Sequence, residues 1–171
     1  MPLTKSTLSS QFISLLETNK GILYKVARSY AREEEEIKDL IQEISIQAWK
    51  SFPKYKSEFK FSTWLYRIAL NVAISNLRKE SKRKEIHQDF DEKIVFKIPL
   101  EESASQQSLK ILYQVIGTLN SIDRALILLY FEEKSYREIS EIIGISETNV
   151  ATKLNRLKKI IKEEFLKLNQ L

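Results

Sequence analysis

Apolar residues recur at helical spacing along most of this 171-residue sequence. The clearest stretch runs from about 33 to 52, where one stripe is formed by Ile37, Leu40, Ile41, Ile44, Ala48, Trp49 and Phe52. Positions i, i+3, i+4 and i+7 lie on the same side of an α-helix, so this stripe predicts an amphipathic helix. The whole chain contains only three Gly and three Pro, too few for the many turns of an all-β fold. We therefore predict an all-α protein.

The helical spacing is lost between about residues 80 and 107. From 85 to 102 there are six Asp and Glu residues and two Lys residues, a local charge of −4 in a chain whose net charge is +5. A stretch of this length without periodicity is typical of a linker or of a functional loop. We predict two small helical domains, residues 1–84 and 108–171, joined by a flexible acidic linker over 85–107.

The C-terminal stretch SYREISEIIGISETNVATKLNRLKKI, residues 135–160, has the pattern of a helix-turn-helix. Ser135 and Glu138 have the spacing of a capping box, and Gly144 suits the left-handed residue that ends a helix. The second helix would present a polar, basic face that can lie in the major groove of DNA. Its candidate DNA-binding residues are Thr148, Asn149, Ala151, Thr152, Lys153, Asn155, Arg156 and Lys159. The alternative is a plain helical hairpin whose polar face is solvated.

A second nucleic-acid face is predicted within FSTWLYRIALNVAISNLRK, residues 61–79. At about 100° per residue, one side of this helix carries Trp64, Arg67, Asn71, Ser75 and Arg78. An aromatic ring beside cations suits single-stranded nucleic acid, because bases stack on rings while cations hold phosphates. The alternative is that Trp64 and Tyr66 are core residues at the edge of the domain, and the spacing favours neither hypothesis.

Catalytic and metal-binding patterns are missing from the sequence. There is no Cys, and the single His, His87, lies in the predicted linker. We find no nucleophile–base set and no metal-ligand cluster, so we expect no enzyme activity, no metal and no cofactor. The N-terminus lacks a secretory pattern, and no apolar run approaches the roughly 18 residues that cross a bilayer. We expect a soluble, cytoplasmic protein with no membrane insertion.

Three segments, taken in order, resemble the sigma factors of bacterial RNA polymerase, and most closely their two-domain extracytoplasmic-function type. They are DLIQEISIQAWKSF (39–52), FSTWLYRIALNVAISNLRK (61–79) and SYREISEIIGISETNVATKLNRLKK (135–159). The resemblance covers about residues 9–167, and three motifs in order are more specific than any one. It implies a subunit that binds core RNA polymerase, directs it to specific promoters and assists promoter melting.

The resemblance also implies roles for individual residues. The first domain would bind core polymerase through Asp39, Gln42, Glu43 and Ile46. The spacing of these four independently places them opposite the apolar stripe. The first domain would also bind and melt the minus-ten element through Lys54, Lys56, Lys60, Trp64, Tyr66, Arg67, Asn71 and Arg78. The second domain would bind the duplex minus-thirty-five element, with its leading contacts at Thr152, Asn155 and Arg156.

Other hypotheses stay open at this point. A stand-alone helix-turn-helix transcription regulator would bind duplex DNA specifically without polymerase, typically as a dimer. An anti-sigma factor, which holds many members of the resembled family inactive, is a candidate partner. Ala151 lies where many members of that family carry a cation, so their base preference cannot be transferred to this chain.

Overall fold

The computed structural model describes residues 5–86 and 104–169, with side chains from 7 to 83 and from 107 to 169. The described residues form seven α-helices and one short 3-10 helix, and none of them forms a strand, which confirms the all-α prediction. The chain divides into two compact units, Met1–Asn76 and Leu77–Leu171. Most of the predicted acidic linker, residues 87–103, lies outside the described part of the chain.

The first unit is built from α1 (Lys5–Tyr30), α2 (Glu34–Ser51), a 3-10 helix (Phe52–Lys54) and most of α3 (Phe61–Ile86). The start of α2 is fixed by Glu36, whose Oε2 accepts hydrogen bonds from the backbone N–H groups of Arg32 and Glu33 at 2.9 and 3.1 Å. The helix ends at Ser51, just before Pro53, which lacks the N–H needed to continue an α-helix.

Apolar burial holds the first unit together. The stripe predicted for α2 is confirmed at Leu40, Ile44 and Ala48, which are buried, whereas its member Trp49 is 41% exposed. The three buried residues form the inner side of α2. They face α1, with which α2 is in contact and on which Val26 and Ala27 are fully buried. Each large side chain buried in this way stabilises the fold by about 1.5–3 kcal/mol before entropy costs are subtracted.

The second unit contains α4 (Ala104–Thr118), α5 (Ser121–Phe131), α6 (Tyr136–Ile143) and α7 (Glu147–Asn169). The long helix α7 contacts each of the other three. The core includes Leu126, Ile139 and Leu154, all with no exposed surface. α3 ends at 86 and α4 begins at 104, so both helices extend into the segment 85–107 that the sequence predicts as a linker. The exact bounds of the two domains stay a prediction.

A buried cation fixes the turn between α4 and α5. Arg124 is 2% exposed, and its Nη2 donates hydrogen bonds of 3.0 Å to the carbonyl oxygens of both Gly117 and Leu119. The last carbonyls of a helix lack intrahelical donors and carry partial negative charge, so a cation there supplies both hydrogen bonds and favourable electrostatics. Arg124 therefore anchors the N-terminal end of α5.

The turn of the helix-turn-helix matches its predicted chemistry. The Ser135 hydroxyl accepts a hydrogen bond from the backbone N–H of Glu138, and the Glu138 carboxylate accepts one from the N–H of Ser135. Gly144 ends α6 with φ 82°, in the left-handed region that only glycine adopts without strain. Ser146 Oγ accepts from Asn149 N at 3.2 Å in the first turn of α7.

Replacing Gly144 by Ala should destabilise the second unit by about 1 kcal/mol, because an L-residue is strained at positive φ. A Cβ at this position meets nothing within 4 Å, so the expected cost is that of the backbone conformation alone. Amide hydrogen exchange in α6 and α7 measures this loss of stability.

Gly21→Ala is the matched control for Gly144→Ala. Gly21 lies inside α1, and a Cβ there also meets nothing within 4 Å. Because Ala favours the helix over Gly by about 0.8–1 kcal/mol, this variant should slow exchange in α1. Unchanged or slower exchange in α6 of Gly144→Ala would contradict the prediction.

Candidate polymerase and nucleic-acid interface

The outer face of α2, defined by Asp39, Gln42, Glu43 and Ile46, is presented to solvent. Asp39 and Gln42 are exposed, Glu43 is half-buried, and Ile46 is 40% exposed. Gln47 Nε2 donates a 2.8 Å hydrogen bond to Glu43 Oε1, which restricts the rotamers of that carboxylate. This face therefore offers one accessible apolar side chain bordered by polar groups, an arrangement that a partner protein can cover.

An aromatic cluster lies where α1, α2, the 3-10 helix and α3 meet. Phe52, which is 4% exposed, is its centre. Its six members are Phe12, Trp49, Phe52, Tyr55, Phe61 and Trp64. The ring centroids of members in contact lie 5.1 to 6.3 Å apart. Such pairs add about 0.5–1.5 kcal/mol beyond the area that they bury. The cluster therefore holds the start of α3 and the preceding loop in a defined position.

Trp64 has features of both alternatives that the sequence left open, a core residue and a residue of a nucleic-acid face. Its ring contacts Tyr55 and Phe61 at 5.1 Å and Phe52 at 6.1 Å between centroids, so it belongs to the aromatic cluster. It is nevertheless only half-buried. A ring that is held on one side and open on the other has the geometry of a stacking platform.

The loop between the 3-10 helix and α3 is closed by a hydrogen bond of its own. Tyr55 Oη donates to the carbonyl oxygen of Phe59 at 2.8 Å. The predicted lysines, Lys54 at the end of the 3-10 helix and Lys56 and Lys60 in the loop, are all exposed. Phe59 is 47% exposed among them. The end of the 3-10 helix and the loop together thus present three cations and one apolar ring, and the Tyr55–Phe59 hydrogen bond closes the loop backbone.

The outer face of α3, defined by Arg67, Asn71, Ser75 and Arg78, is exposed at every position. The structure brings it together with Trp64 on one side of the helix, as the spacing predicted. Tyr66 is different, because it is 2% exposed. It lies about 200° around the helix from Trp64, on the buried side. Its assignment to the DNA-binding face is corrected, and its ring is a core residue.

The outer face of α7 carries the predicted helix-turn-helix residues. The exposed members are Thr148, Asn149, Thr152, Asn155, Arg156 and Lys159. Ala151 and Lys153 are half-buried. The inner side of the helix is anchored in the core by Val150, Leu154 and Leu157, each with no exposed surface. The Thr152 hydroxyl donates to the carbonyl oxygen of Thr148 at 3.0 Å, so its proton is used and its oxygen can still accept a hydrogen bond.

Two cations of α7 are held by α5. Arg156 Nη2 lies 3.3 Å from Asp123 Oδ2, and Lys158 Nζ lies 4.3 Å from the centroid of the Tyr130 ring. The Arg156 side chain is 59% exposed, whereas that of Asp123 is 8% exposed. The basic surface of α7 is therefore arranged partly by residues that lie outside the helix-turn-helix motif.

Comparison with known proteins places both units in one family. Residues 15–83 match Sigma-70 region 2, and residues 109–161 match Sigma-70, region 4. The RNA polymerase sigma factor YlaC of Bacillus subtilis is 30% identical over 144 residues, 78% of this chain and 79% of YlaC. The chain is a sigma factor of bacterial RNA polymerase. Its function is to direct the polymerase to promoters, and the stand-alone regulator is not favoured.

The sigma factor is also similar to members of the extracytoplasmic-function type. The ECF RNA polymerase sigma factor SigW of B. subtilis is 26% identical to it over 166 residues, 90% of this chain and 88% of SigW. The sigma factor RpoE of Bartonella quintana, solved in complex with the anti-sigma factor NepR, has a TM-score of 0.74 over 92% of this chain and 97% of its own. At 19% identity, this second likeness concerns the fold alone.

The outer faces of α2 and α3 in this sigma factor fall within the region 2 match, and the outer face of α7 falls within the region 4 match. Across residues 5–86 and 104–169, no group of three or more His, Cys, Asp or Glu residues could hold a metal ion. In the same ranges, no helix has the length and hydropathy of a membrane-spanning segment.

Sequence reasoning missed two residues of these candidate sites, Phe59 and Asp123. Phe59 could have been found from its place in FKF, where it directly precedes Lys60, one of the predicted basic residues of the loop. Asp123 could not, because it is 33 residues away from Arg156 and no local motif joins them.

Proposed function

We propose that this sigma factor binds core RNA polymerase through the outer face of α2, and that its two DNA-binding surfaces lie on α3 and α7. It acts in the bacterial cytoplasm, where the polymerase works, and catalyses no reaction itself. One observation carries the assignment of the surfaces. Most residues of each face are exposed while the opposite side of the same helix is buried, so a polar or basic surface is displayed on a rigid support.

The minus-ten element is bound as a single strand by α3 and the loop 54–60. Unpairing and unstacking a base costs a few kcal/mol, which contacts to the strand must offset. The half-buried ring of Trp64 and the exposed ring of Phe59 offer stacking surfaces, and each stacked base contributes about 1–3 kcal/mol. Arg67 and Arg78 attract the phosphates, while Asn71 has both a donor and an acceptor for base edges.

The minus-thirty-five element is bound as a duplex by the outer face of α7. Asn155 can form a paired hydrogen bond with adenine, and Arg156 with guanine, in the major groove. Lys153 and Lys159 hold phosphates and set the register of the helix on the duplex. From 147 to 171 the chain has six Lys and Arg residues and three acids, a local charge of +3. We also propose an anti-sigma partner that occupies these surfaces in the inactive state.

Selection of promoter fragments from a random-sequence library tests the proposal. Core polymerase with this chain should enrich two short elements at a fixed spacing, because the two units bind separate sites. Core polymerase alone should enrich neither. If the free chain enriched the same upstream sequence without polymerase, the stand-alone regulator would replace the proposal.

Asn155→Ala should weaken use of the upstream element by about 1–3 kcal/mol, the worth of one paired base contact. Run-off transcription on the selected promoter, with the upstream bases intact or substituted, measures this discrimination. Lys162→Ala is the control, since Lys162 is exposed and lies two turns further along the same side of α7. It should lower the salt dependence of binding and leave discrimination intact. Equal discrimination by Asn155→Ala and wild type would reject the base contact.

A further inference from the structure

The carboxylate of Asp123 lies between the N-terminal end of α5 and the outer face of α7. Its Oδ2 accepts a 2.7 Å hydrogen bond from Asn120 Nδ2 and the 3.3 Å contact from Arg156 Nη2. Asn120 caps α5, since its Oδ1 accepts from the backbone N–H groups of Ile122 and Asp123 at 3.1 and 2.9 Å. A continuous set of hydrogen bonds thus joins the start of α5 to Arg156.

Asp123 is itself held firmly. It is 6% exposed, and the neighbouring Arg124 anchors the same turn of α5 to the end of α4. Packing and the Asn120 hydrogen bond together leave the Asp123 carboxylate little freedom to follow Arg156. The rigid partner in this ion pair is the carboxylate, and the partner that is positioned is the guanidinium.

The contact leaves most of the guanidinium available. Arg156 has five N–H donors, and the contact with Asp123 is through Nη2 alone. The Arg156 side chain is 59% exposed, so most of it is accessible to a partner. Arg156 can therefore contact a base or a phosphate while it stays in contact with Asp123.

We propose that Asp123 is a positioning residue for recognition of the upstream element. It holds Arg156 in the rotamer that contacts the DNA. The inference rests on the proposed function of α7. An arginine side chain carries about 2 kcal/mol of rotamer entropy, and an arginine that is ordered before binding loses less of it on the DNA. Asp123 touches no DNA and acts only through Arg156.

A competing effect of Asp123 has the opposite sign. A carboxylate near the outer face of α7 repels phosphates, so its removal alone would tighten binding to every DNA sequence alike. Positioning instead predicts a loss that is specific for the upstream sequence and that requires Arg156. The two effects can be separated by measurement. Repulsion changes the affinity for every DNA sequence, whereas positioning changes the discrimination between intact and substituted upstream elements.

A double-mutant cycle on the holoenzyme tests the proposal, with Asp123→Ala, Arg156→Ala and the double variant on the selected promoter. Discrimination between intact and substituted upstream elements should fall by about 3- to 10-fold in Asp123→Ala, within the usual range of coupling between contacting residues. In the Arg156→Ala background, Asp123→Ala should change discrimination less than about twofold, within ordinary non-additivity.

Asp123→Asn is the second variant, nearly the same shape and still able to accept from Arg156. It should retain most of the discrimination, and it keeps the test open if Asp123→Ala unfolds. An equal loss in both Arg156 backgrounds, or tighter binding to all sequences without loss of discrimination, would overturn the positioning role. If the wild-type holoenzyme showed no upstream discrimination at all, the proposed function of α7 would fall, and this inference with it.

Discussion

Trp64→Ala should abolish most open-complex formation while leaving the binding of core polymerase intact. The variant removes the half-buried ring beside the outer face of α3, and with it one stacking surface worth about 1–3 kcal/mol per base. That loss lowers the open-complex equilibrium by roughly 5- to 150-fold. Permanganate reactivity of unpaired thymines on the selected promoter measures the change. Footprints identical to those of wild type would show that Trp64 has no role in melting.

Two controls separate stacking from damage to the loop. Trp64→Phe keeps a ring at this position and should retain part of the melting activity. Tyr55→Phe removes the hydroxyl that donates to Phe59 and leaves all six rings of the aromatic cluster in place. If Tyr55→Phe lowered melting as much as Trp64→Ala, the loop conformation rather than the Trp64 ring would be responsible.

Elements whose signal lies within a few residues were predicted well from the sequence. The apolar stripe of α2 follows from spacing, because residues three and four apart share a side of the helix. The turn between α6 and α7 follows from Ser135, Glu138 and Gly144, each of which has a local stereochemical requirement. For the same reason, the spacing correctly predicted most of the residues that share an exposed side of α3 and of α7.

Features that depend on contacts between distant segments were not predictable. Tyr66 and Trp64 are both aromatic and two residues apart, yet packing buries the first and leaves the second half-exposed. Spacing separates the two rings by about 200° around α3, but it does not say which of the two sides meets the core. The pair of Asp123 and Arg156 likewise exists only because α5 contacts α7.

The central claim is that the outer face of α2 binds core polymerase, since a sigma factor acts only when bound to it. The triple variant Asp39→Ala, Gln42→Ala, Glu43→Ala removes two carboxylates and one amide from that face. Interface residues at a hot spot contribute about 2 kcal/mol or more each, so we expect at least a 30-fold loss of affinity. A matched control removes the same groups elsewhere in the unit, at the exposed residues Gln11, Glu17 and Glu34.

Size-exclusion chromatography with core polymerase, over a dilution series that begins at micromolar concentrations, is the most direct measurement. We predict that the wild type and the control variant co-elute stoichiometrically at concentrations about 30-fold or more below those at which the α2 triple variant ceases to co-elute. Co-elution of the triple variant equal to wild type would contradict the assignment of the α2 face. Failure of the wild type to co-elute, together with specific duplex binding by the free chain, would contradict the account as a whole.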